Sequence, residues 1–172
     1  GTGAFNSNLT IASGTTTLNA NTSIGGTLDL TSGTIDVNTF NLTTFALTGN
    51  GSITKSAAGN STLTIGNSIT SNFSGTIQNP SGSIALVKNG TSTLTLSGAN
   101  TYSGGTTLTS GTLNINNASA IGTGAFNING GTIDNTSGSP IVLTTNNGIT
   151  FGGDFTFGGS NALNLGTGII TN

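Results

Sequence analysis

One phrase recurs along this chain at a near-constant spacing. Ile11-Ala-Ser-Gly-Thr-Thr-Thr-Leu-Asn19 aligns with Leu30-Thr-Ser-Gly-Thr-Ile-Asp-Val-Asn38, and both align with Leu108-Thr-Ser-Gly-Thr-Leu-Asn-Ile-Asn116. A partial copy is Ser74-Gly-Thr-Ile-Gln-Asn79 and a degenerate one is Gly130-Gly-Thr-Ile-Asp-Asn135; Gly1-Thr-Gly-Ala-Phe-Asn6 returns unchanged at Gly122–Asn127. The first two copies lie 19 residues apart and the third 78 further on, close to four such steps. A period of about 20 residues with insertions is the mark of a repeat architecture, in which each unit buries its apolar side only by stacking on its neighbours.

Within each unit the apolar residues alternate. Leu28-Asp-Leu30, Ile35-Asp-Val37, Leu63-Thr-Ile65, Leu94-Thr-Leu96, Leu113-Asn-Ile115 and Leu163-Asn-Leu165 send Leu, Ile or Val to one face and Thr, Asn or Asp to the other. The runs are short and are punctuated by Ser-Gly, Gly-Gly, Gly-Asn and Asn-Gly turns. Antiparallel sandwiches use longer strands and repeat weakly. Short strands, dense turn glycines and a 20-residue period predict an all-β, parallel β-helix (β-solenoid). At roughly 18–25 residues per coil the chain makes about 7–9 coils, a rod of about 35–40 Å. Residues 1–172 read as one solenoid segment.

Composition narrows the function classes. Gly (29 residues), Thr, Asn and Ser together make about three-fifths of the chain. Charged residues are 3%, against about a quarter in an ordinary soluble domain. The only charges are Asp29, Asp36, Asp134, Asp154, Lys55 and Lys88, and there is no His or Cys. A soft-ligand zinc site and a disulfide framework are excluded. Two lysines do not form the basic patch that nucleic acid needs. No apolar run approaches a membrane helix, so no membrane insertion is expected. The opening Gly1-Thr2-Gly3 carries no initiator Met or basic leader, which reads as a mature piece or a fragment.

The stretch from Leu86 to Ile115 is the most specific in the chain. Lys88, Gly90, Thr93 to Gly98, Asn100 to Tyr102, Gly104, Gly105 and Gly111 to Leu113 fit the pattern Lys-x-Gly-x-Gly-Thr-Leu-Thr-Leu-Ser-Gly-x-Asn-Thr-Tyr-x-Gly-Gly-Thr-x-x-x-x-Gly-Thr-Leu, with Ser92 where a Gly is common. In this it resembles the autotransporter passenger-associated strand repeat family, with a similar continuation to residue 134. The resemblance implies a right-handed parallel β-helix in an exported bacterial surface protein. It brings no catalytic, cofactor-binding or metal-binding residue. The residues it marks, Lys88, Gly90, Asn100, Tyr102, Gly104, Gly105 and Gly111, are structural motif positions.

Other constellations favour bland readings. Asp29 and Asp36 could suggest polysaccharide cleavage by paired carboxylates, but both fall on the outer phase of separate strands and read as solvated surface. Gly152-Gly-Asp154 lacks the ladder of a calcium solenoid and reads as a turn. Tyr102 reads as a corner residue packed over the coil with its hydroxyl on nearby backbone, and the alternative is a glycan-stacking platform. Phe151, Phe155 and Phe157 at period two, with Phe40 and Phe45, read as core. The Thr-x-Thr runs at Thr15–Thr17, Thr62–Thr64 and Thr93–Thr95 are too irregularly spaced for an ice-binding face on every coil. Asn-x-Ser/Thr triplets such as Asn8-Leu-Thr10 and Asn60-Ser-Thr62 follow from composition.

The expectation is therefore a structural, extracellular solenoid rod at the bacterial cell surface and not an enzyme. It would be a filament subunit stacking head-to-tail on itself, because neither end shows a polar cap, or a stalk continuous with flanking repeats of an autotransporter or adhesin. A module binding surface glycans is the alternative. No cofactor is expected.

Overall fold

The computed structural model describes residues 3–66 and 69–172. It is all-β and wound as a parallel solenoid of about eight turns of roughly 20 residues. Every recorded strand pair is parallel. Along the first face Gly3 lies beside Thr22, then Leu42, Leu63, Leu86, Thr106, Phe126, Ile149 and Ile170. Each coil thus takes 19 to 23 residues, and the insertions inferred from the spacing are absorbed at the corners. One echo is misleading. Gly1 and Thr2 lie outside the described residues, but Phe126 occupies the column of Gly3 rather than that of Phe5, so the repeated phrase sits two residues out of step in its second copy.

Three faces build each coil. The strands Thr22–Leu30 and Leu42–Gly49 run across a corner, so their first halves belong to the first face and their second halves to the second. The bend in Thr22–Leu30 falls where the register shifts between Ile24 and Thr27, at the Gly25-Gly26 pair. A Cβ on Gly26 would stand 2.9 Å from the Asn8 backbone nitrogen, so the bulge there requires glycine. A third face holds the four-stranded sheet of Thr15–Thr17, Thr34–Asp36, Ser52–Thr54 and Thr76–Ile77, and further along the two-stranded sheet of Ile141–Val142 and Leu163–Asn164.

The alternation does what the pattern requires. Inward columns such as Leu28, Leu47, Leu94 and Leu113 form one continuous core, all fully buried. Polar residues that fall in inward phase keep partners, as buried groups must. Thr44 Oγ1 donates to the backbone oxygens of Gly26 and Ala46 at 3.1 and 2.8 Å, and Ser71 Oγ accepts from Leu47 N at 3.1 Å. Outward residues form ladders, among them Thr93, Thr112, Thr132 and Thr156 on the second face.

The core reading of the aromatics holds for Phe40, Phe151 and Phe155, which pack partly buried against the core, and fails at Phe157. Phe73 and Phe126 are buried, but Phe157 is 47% exposed. It closes the Leu94, Leu113, Ile133 column on the last described strand of the second face, where no further coil covers it. Phe151 and Phe155 are half-buried and stack on each other at 5.1 Å between ring centres, with Gly152-Gly153-Asp154 making the bend between them.

Candidate functional site

The motif residues fall into two corners. At the first, Lys88 is the next-to-last residue of the strand Ser83–Asn89 and takes the inward phase, in the column of Ile65, Leu108 and Ile128. Its side chain is fully buried. The Nζ donates to the backbone oxygens of Asn89 (2.9 Å), Gly90 (3.0 Å) and Ser110 (3.3 Å), so the ammonium clamps two successive corners. Burial lowers its pKa to about 8. Gly90 and Gly111 both adopt left-handed backbone, φ +77° and +76°. They lie one above the other, so a Cβ on Gly111 would stand 2.4 Å from the oxygens of Gly90 and Ser92 and 2.7 Å from Lys88 Nζ.

Ser92 stands where the family pattern favours glycine, and its Oγ is buried with no hydrogen-bond partner. A buried unpaired hydroxyl costs about 1–3 kcal/mol. Ser92→Ala should therefore raise stability by about 1 kcal/mol, read as a higher midpoint in thermal or urea unfolding. An unchanged or lowered midpoint would show that the hydroxyl is solvated.

The second corner carries Asn100, Tyr102, Gly104 and Gly105. The buried Asn100 amide splices into the ladder between coils: Oδ1 accepts from Ile77 N at 2.8 Å and Nδ2 donates to Ala120 O at 2.6 Å. Tyr102 is fully buried, and its hydroxyl meets Thr106 Oγ1 at 2.6 Å. Thr106 Oγ1 donates onward to Ile121 O at 2.9 Å, so the phenol reaches backbone through a threonine rather than directly. Burial pushes the Tyr102 pKa up. A ring enclosed this way is not a glycan-stacking platform. Gly104 N donates to Ile84 O at 2.8 Å, and a Cβ there would lie 2.5 Å from that carbonyl. Gly105 has φ +88°.

The solvated reading of Asp36 does not hold. It does take the outer phase of its strand, but the Ser56 turn one coil on folds over it and leaves it 7% exposed. Its carboxylate accepts from Ser56 Oγ at 2.5 Å and from the backbone N–H groups of Asn38 and Ser56 at 2.8 and 3.1 Å. Asp134 repeats this clasp with Ser160 Oγ at 2.6 Å and the N–H groups of Asn135 and Ser160. Burial alone would raise both carboxyls. The serine and backbone hydrogen bonds outweigh it and hold both below the ordinary 3.8, with the charge of Lys55 assisting at Asp36. Lys55 is itself buried, with its Nζ donating to Asn38 O and to Ser61 Oγ.

Asp29 is half-buried and accepts from Thr31 and Thr48, while Asp154 is exposed. Asp29 and Asp36 thus serve different faces and do not form an acid–base pair. No group of three or more potential metal ligands exists among the described residues. A shallow groove of about 260 Å³ lies on the first face, lined by Asn21, Thr22, Ser23, Asn41 and Thr43. The buried lysines and the aspartate clasps were missed from sequence. The parity of Ile53-Thr-Lys55 and Leu86-Val-Lys88 places both lysines in apolar phase and could have revealed them.

Depressed carboxyl pKa values set a pH dependence. A group held below 3.8 when folded contributes stability above its unfolded pKa and loses it as pH falls through the folded pKa. Unfolding midpoints should fall below pH 3.8, and Asp36→Asn should flatten that acid limb. Identical acid limbs in the two proteins would refute the clasp.

Both corners lie within one compact stretch of chain. Residues 86–115 match the family model for the passenger-associated-transport-repeat. All seven motif residues fall inside this passenger-associated repeat. No curated protein and no solved structure matches the chain. The repeat family implies a secreted or cell-surface protein, and with the solenoid fold it supports a passenger-type structural role. Within the repeat, lysine, asparagine, tyrosine and glycines all serve coil-to-coil packing. Each reaches the coil above or below.

Proposed function

We propose that the chain is one segment of an extracellular structural rod, the passenger-type shaft of a bacterial surface protein. The observation that supports this best is the unbroken first-face column from Gly3 to Ile170, packed against one continuous core. Its groups are spent on holding coil to coil. In this reading its partner is more of the same architecture, either flanking repeats of a longer stalk or a second copy stacked head-to-tail as a filament. The strands Gly3–Phe5 and Ile170–Thr171 are each paired on one side only among the described residues, and such edges template further strands.

Electron microscopy of native, untagged material tests the reading. Fibres with an axial repeat of about 35–40 Å support head-to-tail assembly, and isolated rods of that length support a stalk segment. Round particles with no long axis would defeat both. A second reading, contact with surface glycans, draws on the shallow groove lined by Asn21, Ser23, Asn41 and Thr43. Absence of binding on a glycan array would remove it.

A further inference from the structure

Four Asn-Gly dipeptides occur, at Asn50-Gly51, Asn89-Gly90, Asn129-Gly130 and Asn147-Gly148. In any of them the glycine nitrogen can attack the preceding side-chain amide, provided the backbone lets it and the carbonyls are polarised. Two are locked against it. Gly51 N is held by Leu30 O at 2.7 Å. Asn147 is 1% exposed, with its Nδ2 bonded to the oxygens of Gly122 and Gly124 at 3.0 and 2.6 Å. Asn89 and Asn129 are exposed.

These two form an internal comparison. Lys88, Leu108 and Ile128 share one column, so Asn89 and Asn129 follow at equivalent strand ends two coils apart. Their surroundings differ. The Asn89 backbone carbonyl, which belongs to the peptide bond of the attacking Gly90 nitrogen, accepts from the Lys88 ammonium at 2.9 Å. The Gly90 N–H lies 2.7 Å from Asn89 Oδ1, and the Ser110 hydroxyl shares its one proton between Gly90 O at 3.2 Å and the same Oδ1 at 3.4 Å. At Asn129 the residue in the lysine position is Ile128, which has no charge to offer.

We propose that Asn89 is a site of spontaneous covalent modification, an intramolecular deamidation assisted by the Lys88 ammonium and the Ser110 hydroxyl. The Gly90 nitrogen gives its proton to water and bonds to Asn89 Cγ. The Cγ–Nδ2 bond breaks, and Nδ2 takes up a proton and leaves as ammonia. The resulting five-membered imide has two carbonyl oxygens, and these are the two that Lys88 and Ser110 polarise. Water then opens the ring at either carbonyl to give aspartate or isoaspartate. Attack is favoured by enforced proximity, and charge developing on oxygen is met by donors already in place. The new carboxylate forms beside an ammonium whose partners at present are all carbonyl oxygens. Lys88 acts as a positioning and polarising residue and not as the nucleophile.

The test is incubation of the whole chain at neutral pH, followed over time by peptide mapping that resolves isoaspartate, with Asn129 as internal standard. Asn89 should convert about ten-fold faster than Asn129. Lys88→Met should bring Asn89 down to the Asn129 rate and leave Asn129 unchanged. A merely structural role for Lys88 would do the opposite, since a loosened turn reacts faster. If Lys88→Met unfolds the coil, Asn129 accelerates as well, and Ser110→Ala then decides by slowing Asn89 alone. Equal rates at Asn89 and Asn129, or an Asn89 rate that neither substitution lowers, overturns the proposal.

Discussion

Gly111→Ala should be among the most destabilising single substitutions in the chain, at about 2–5 kcal/mol. Two independent effects combine. The position has φ +76°, where an L-residue with a Cβ is disfavoured by about 1–2 kcal/mol. The new methyl would also lie 2.4 Å from the oxygens of Gly90 and Ser92. Both are backbone atoms held in place: Thr112 N donates to Ser92 O at 3.1 Å, and Lys88 Nζ donates to Gly90 O at 3.0 Å. Neither can move without breaking one of these bonds. Gly14 is the control. It has φ +72° but open space where a Cβ would go, so Gly14→Ala should show the conformational part alone. Comparing the two unfolding midpoints separates strain from collision, and equal losses would refute the close-approach argument.

Tyr102→Ala should cost about 3–5 kcal/mol, the range for emptying a large aromatic site in a close-packed core. The ring is fully buried, and a Cβ on Gly122 in the next coil would come within 2.8 Å of it. Collapse into the cavity is opposed by Thr106 and Ile121, which stay bonded to each other at 2.9 Å. Tyr102→Phe removes only the hydroxyl and should cost about 1 kcal/mol, because Thr106 keeps its own acceptor. Chemical denaturation of the pair distinguishes packing from hydrogen bonding. A Phe variant as unstable as the Ala variant would show that the hydroxyl relay, and not the ring, holds this corner.

Both substitutions act on residues that the sequence marked by motif, yet their reasons lie between coils. Leu94-Thr-Leu96 and Leu113-Asn-Ile115 announce their faces because inward and outward environments alternate within a single strand, which is local information. Asp36 was misjudged because its cover, Ser56, arrives one coil later. Phase alone places a side chain outside the sheet but does not say whether a turn folds over it. The lysines show the converse. Their phase is inward, although buried ammonium groups are rare. What satisfies Lys88 is carbonyl oxygen from Asn89, Gly90 and Ser110, which no side-chain pattern displays. Phe157 alternates correctly and is exposed because a column of a solenoid needs a coil on each side. The repeated Gly-Thr-Gly-Ala-Phe-Asn phrase shows the same limit. Identical words take different register because corners of different length precede them.

Because every recorded strand pair is parallel and joins one coil to a neighbouring one, the backbone hydrogen bonds point along the rod rather than across it. Tension along the axis therefore pulls these bonds open in sequence, a few at a time, instead of shearing a whole sheet at once. Each coil of 19 to 23 residues that peels away adds about 65–80 Å of extended chain, while the coils behind it keep their own core. Such a shaft yields by lengthening in discrete steps at modest load, and with no disulfide to reform each coil can wind back onto an intact template when the load is released.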